Sequence, residues 1–159
     1  MTWLGIDPGL RPGYCLRRDG ATILLSASAS ALAPTPLTGI AVEGQWRPRR
    51  RGRAAPIPVQ DILALAIRAG VQAGRIAGST VPIYVLDPGI WRKAIGVPND
   101  AAVSTNHIRR SLSRYETLLL SALRLTVSRE ADVLAAIGIA KAAERLFSLG
   151  TLPKPLVAP

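Results

Sequence analysis

The stretch Trp3-Leu4-Gly5-Ile6-Asp7-Pro8-Gly9-Leu10-Arg11-Pro12-Gly13-Tyr14, WLGIDPGLRPGY, decides how this chain is read. Residues 2–7 have the pattern of a buried strand that runs directly into a carboxylate, and Pro8-Gly9 turns the chain at once. Asp7 therefore has two readings. It is a turn aspartate bonded to nearby backbone, or a metal ligand standing at a strand end. The other acids of the chain weigh on that choice.

Working outward, residues 13–18, GYCLRR, read as a second strand, and Asp19-Gly20 is a hairpin turn signal. Residues 21–26, ATILLS, read as a third strand, and the Ala/Ser/Pro-rich residues 27–38 as a loop or a frayed strand extension. Residues 39–43, GIAVE, form a short strand ending on Glu43. Residues 46–56, WRPRRRGRAAP, are a basic loop without apolar period. The spacing predicts a helix over about 59–78, rich in Ala and Gly, where another element could approach the backbone closely. A fifth strand follows at 82–87, then a short helix at 88–96 and a further helix at about 100–114. The last helix, about 130–148, opens after Ser128 as N-cap. The order β-β-β-β-α-β-α-α, an antiparallel meander followed by strands that return through helices, implies a mixed five-stranded α/β sheet flanked by helices. One domain spans 1–150, and residues 151–159 form a Pro-rich, loosely ordered tail.

Composition narrows the function classes. At 159 residues and 48% apolar, the chain can bury one sizeable core. No apolar run approaches the roughly 18 residues that span a membrane. The first residues lack the basic and apolar regions of a signal peptide. Cys15 is the only cysteine, so an intramolecular disulfide and a cysteine-based zinc site are excluded, and a cytoplasmic setting is expected. Lys plus Arg number 20 against 10 acids, a net charge of +10. Such a surplus points to a polyanion, most often nucleic acid. Drift toward Arg in a GC-rich genome also contributes, but it does not explain why the arginines cluster.

With ten carboxylates, each can be weighed. Asp19 belongs to its turn, Asp61 and Asp100 to first helical turns, and Asp87 to the turn before Pro88-Gly89. Glu116 and Glu144 read as solvated helix charges. Asp7 and Glu43 each end an apolar strand, and parallel pairing of those strands would bring the two together. Asp132 opens the apolar run DVLAAIGIA. Three converging acids repel one another unless a divalent cation compensates, and two metals about 4 Å apart are a known solution for phosphodiester cleavage. Taken singly, each acid is as well explained by a turn or a helix dipole.

GIDPG at 5–9, VEGQW at 42–46 and EADVLAAIGIA at 130–140 resemble the RuvC family of Holliday junction resolvases, over about residues 2–147. DPGIWRKAIGV at 87–97 looks like a stretch of the phage-type branch. The resemblance implies an RNase H-like fold and a homodimer joined through the helix at about 59–78. It implies a crossover junction endodeoxyribonuclease that nicks two opposed strands of a four-way DNA junction with two Mg²⁺ or Mn²⁺ ions per site. If phage-encoded, it would act in the host cytoplasm. Asp7, Glu43 and Asp132 match three acidic ligands of the family. A fourth ligand is expected three residues before the last, where this chain has Arg129. Glu130 is the nearest candidate, although two residues on an ideal helix turn it about 200° away. Ser128, or no fourth ligand, are the alternatives.

For DNA contact, Arg47, Arg49, Arg50, Arg51 and Arg53 read as an arm that orders on binding, or else as a solvated charge run. Trp46 is a stacking aromatic or a core residue. Trp91 is read as core, with Arg92 and Lys93 facing DNA. His107 is a structural histidine or a phosphate contact. Two other functions stay open: an RNase H-like nuclease acting on other branched DNA or RNA–DNA substrates, and a catalytically decayed junction-binding protein.

Overall fold

The computed structural model describes residues 1–8, 12–29, 32, 36–44 and 81–156. The expected helix at about 59–78, Asp61, Trp46 and the five arginines at 47–53 lie outside the described residues.

Five strands form one mixed sheet: β1 (Thr2–Asp7), β2 (Gly13–Arg18), β3 (Ala21–Ser26), β4 (Gly39–Glu43) and β5 (Ile83–Leu86), in the spatial order β3-β2-β1-β4-β5. β1 is central. It pairs antiparallel with β2, opposing Asp7 to Gly13, and parallel with β4, opposing Ile6 to Val42. The β2–β3 hairpin turns at Asp19 and Gly20, both at positive φ (49° and 83°), as a two-residue primed turn requires. β3 carries one extra residue, Ile23, between Thr22 opposite Arg17 and Leu24 opposite Leu16.

Four helices follow: α1 (Pro88–Ala94), α2 (Ala101–Arg110), α3 (Arg114–Ala122) and α4 (Val127–Ser148). Asp87 caps α1, accepting from Gly89 N, and Asp100 caps α2, accepting from Val103 N. Where one helix was expected at 100–114, the chain breaks at Ser111–Ser113 and starts again as α3. The cause is a capping box: Ser113 Oγ accepts from Glu116 N, and the Glu116 carboxylate accepts from Ser113 N. α4 starts at Val127, with Thr126 rather than Ser128 at the N-cap and no side-chain cap bond. Ser128 lies inside the first turn.

The period of two along β1 sorts its side chains between two apolar layers. Trp3 with Cys15, Leu25, Ala41 and Leu86 packs under α4, together with Trp91 and Ile108. Leu4, Ile6, Tyr14, Leu16, Ile40, Val42 and Ile83 form the layer on the opposite face. α4 lies directly on β1 and β2, because its small residues meet glycines there. A Cβ on Gly5 would stand 2.7 Å from Ala140 N, and one on Gly13 would stand 2.7 Å from Val133 N. Burial pushes the Cys15 thiol up to about 12, so it is no nucleophile at neutral pH.

Glu116 and Glu144 are not solvated. Both belong to a network that ties the hairpin to α3 and α4. Arg17 Nη1 lies 3.3 Å from Glu116 Oε1, and Arg17 Nε donates to Glu144 Oε2 at 2.8 Å. Thr22 Oγ1 donates to Glu116 Oε1 at 2.7 Å, and Lys141 Nζ stands 3.0 Å from it. Residues 151–156 are anchored rather than loose: Leu152 packs on the core, and Leu156 N donates to Ile83 O at 2.7 Å, along β5. Among the described residues no helix is long and apolar enough to cross a membrane.

Candidate active site

Parallel neighbours in a sheet end at the same edge, so β1 and β4 deliver Asp7 and Glu43 side by side. Gly13 brings in the third acid. It pairs with Asp7 across the sheet, and its missing side chain leaves room for the backbone of Asp132, whose carbonyl carbon and oxygen a Cβ would strike. Asp7, Glu43 and Asp132 thus line one cleft of 220 Å³. Its far wall is α2, which presents Ala101, Ser104, Thr105 and Ile108 at helical spacing, and its rim is Trp91 and Arg92 of α1.

Glu43 is half-buried and held on one oxygen. The Trp91 indole Nε1 donates to its Oε1 at 3.0 Å, and Arg92 Nη2 lies 3.8 Å from the same atom. Burial raises the Glu43 carboxyl above the usual range, opposed by the Trp91 hydrogen bond and the Arg92 charge and reinforced by the charge of Asp87. Arg92 is fixed on three sides. It stacks over the Trp91 ring at 5.0 Å, donates from Nη1 to Asn99 O at 2.8 Å, and faces Glu43. Arg92 Nε and Ser104 Oγ are buried without a hydrogen-bond partner.

The other expected site residues stand apart from this cleft. Glu130 pairs with Arg109, Oε1 lying 3.0 Å from both Nε and Nη2, and lines a separate cleft with Thr117 and Arg124. The reason is helical phase: α4 is already regular at Glu130, so two residues place it off the face that carries Asp132. Arg129 donates to Ala27 O at 3.1 Å. Lys93 and His107 are exposed and do not line the cleft. Trp91 is core as expected, 1% exposed, and also reaches the site, a role that only its pairing with Glu43 in space reveals.

The cleft offers hard carboxylate oxygens, the donor type that suits Mg²⁺ or Mn²⁺. Among the described residues no three His, Cys, Asp or Glu side chains stand close enough to hold one ion between them. The three acids share a cleft and do not yet form a cluster.

No protein-family model and no curated protein matches the sequence. Solved structures do. Thermus thermophilus RuvC in complex with a Holliday junction substrate matches over 98% of this chain and 100% of its own, with a TM-score of 0.59 and 20% identity. A second Thermus thermophilus RuvC structure aligns over the same shares at 22% identity, with a TM-score of 0.48. At this identity the first likeness speaks for architecture: the chain has the RNase H-like α/β fold seen in RuvC.

Proposed function

We propose that this chain is a divalent-cation-dependent endodeoxyribonuclease that resolves four-way DNA junctions by paired nicks. One observation carries the reading. Asp7, Glu43 and Asp132, from two strand ends and one helix, line a single cleft at the carboxyl edge of an RNase H-like sheet. The net charge of +10 supports a nucleic-acid substrate.

Asp7, Glu43 and Asp132 would hold two Mg²⁺ or Mn²⁺ ions. When bound, such ions supply an activated water and neutralise charge at phosphorus. The chain's own groups do the rest. Arg92, held at the cleft rim, is placed to attract a phosphodiester oxygen as a planar, permanently charged donor. The apolar wall of Ala101, Ile108 and Ala135 limits how much water shares the cleft. Lys93, His107, Trp46 and the arginines at 47–53 would hold more distant phosphates and bases. A two-fold dimer through residues 59–78 would offer two such clefts to two symmetric strands.

The test is cleavage of a synthetic mobile four-way junction with and without Mg²⁺. Paired symmetric nicks that need the metal are expected. Asp7→Asn should abolish them while leaving junction binding intact, and wild-type cleavage by that variant removes the mechanism. Preference for the junction over an RNA–DNA hybrid by less than about tenfold would favour a broader nuclease.

A second reading has its own support. Glu130 is committed to Arg109, and the described cleft holds three acids and no fourth. A decayed, junction-binding protein would bind the same substrate and show no metal-dependent nicking.

A further inference from the structure

We propose that Trp91 is a positioning residue for Glu43: its indole N–H fixes Oε1 so that the carboxylate enters the metal site through its other oxygen. This rests on the proposed metal-dependent reading and extends it to a residue outside the acid set.

The Trp91 donor cannot easily move. The side chain is 1% exposed, and its six-membered ring lies over α4 at Gly138, where a Cβ would stand 2.7 Å from Trp91 Cζ3. Gly138 thus sets the depth of the indole, and the indole sets Oε1 of Glu43, 3.0 Å from Nε1. The two partners of that oxygen differ in strength. Trp91 makes a hydrogen bond of normal length, whereas Arg92 stands 3.8 Å away, outside hydrogen-bond range. Trp91 is therefore the partner that orients Oε1, and Arg92, held by Asn99 O and the Trp91 ring, adds charge to it from a distance.

A buried indole N–H calls for an acceptor, and here that acceptor is the cleft carboxylate, so the packing that fixes the ring also fixes Oε1. Groups that orient a metal-ligating side chain through its second atom commonly change metal affinity by 10- to 100-fold. Gly138 also gives the arrangement a purely steric handle. It lets the same hydrogen bond be disturbed from the far side of the ring, without changing any polar group.

The experiment is a double-mutant cycle on Mn²⁺ affinity, read by calorimetry on the full chain, with thermal unfolding as the control. Trp91→Phe keeps most of the ring packing and deletes the donor. It should weaken Mn²⁺ binding about tenfold in the wild-type background, and by less than about twofold when Glu43 is already Gln. Gly138→Ala should weaken Mn²⁺ binding in the same direction. Wild-type affinity in Trp91→Phe, or an equal loss with and without Glu43, overturns the positioning role. If the wild-type chain binds no Mn²⁺ at all, the metal-dependent reading fails first and the proposal with it. If Gly138→Ala does not fold, the Trp91→Phe cycle decides alone.

Discussion

Gly13 carries a geometric duty that its place in a strand conceals. It is opposed to Asp7 in the sheet and pressed against the backbone of Asp132. Any side chain there must push α4 off β2, because the obstacle is backbone that cannot rotate away. Gly13→Ala is expected to cost about 1–3 kcal/mol by overpacking. It should also weaken Mn²⁺ binding, because the shift separates Asp132 from Asp7. Thermal unfolding and Mn²⁺ titration of the same preparation check both halves. Unchanged metal binding in a destabilised variant would limit Gly13 to packing. Glu130 shows the opposite at the same scale. A carboxylate two residues from Asp132 is drawn by helical phase to Arg109, and nearness in sequence does not bring it into the same cleft.

At the scale of elements, the strands were legible and the helix boundaries less so. Alternating or continuous apolar runs bounded by Pro-Gly, Asp-Gly and Gly39 mark β1 to β4, and each appears with the expected bounds. The fifth strand and the helix after it are each a little shorter than expected. The break between α2 and α3 also had a signal, Ser113-x-x-Glu116, hidden inside a stretch that otherwise reads as one helix. Ser113→Ala should lower stability by about 1 kcal/mol, measured by urea unfolding. A change near zero would mean that α3 is held by packing alone. What the sequence could not show are the pairings across long separations. Arg17 meets Glu116 and Glu144 at separations of 99 and 127 residues, and Glu43 meets Trp91 at 48. A lone helical glutamate reads as solvated until its partner is known. The three acids that share the cleft were nameable because two end strands and one stands at a small-residue helix, whereas the cleft wall at Ser104 and the donor at Trp91 needed coordinates.

At the scale of the molecule, the charge network and the cleft occupy opposite ends of α4. Asp132 stands near its first turns and Glu144 near its last, in a helix of 22 residues. Burial alone would raise the Glu116 carboxyl, but hydrogen bonds from Ser113, Thr22 and Lys141, with the Lys141 charge, outweigh it and bring it to about 2. A carboxyl lowered from 4.5 to about 2 contributes stability that is full above 4.5 and is lost as pH falls through about 2. Urea unfolding across that window should show the wild type weakening steeply and Glu116→Gln weakening less. Equal slopes would show that Glu116 titrates normally. Glu116→Gln should also be less stable near neutrality by about 1–3 kcal/mol, because Arg17 and Lys141 lose the charge of a buried partner while Glu144 still pairs with Arg17.

The glycine contacts of β1 and β2 with α4 have a consequence for how the gene can change. Gly5 seats α4 at Ala136 and Ala140, and Gly13 seats it at Asp132 and Val133, so the helix is indexed to the sheet like a key in a lock. Adding or removing one residue between Asp132 and Ala136 would rotate the acid by about 100° relative to that seat. Point substitutions on the outer face of α4 leave the index intact. Length changes in this segment do not, and they are the class of mutation the fold is least able to absorb.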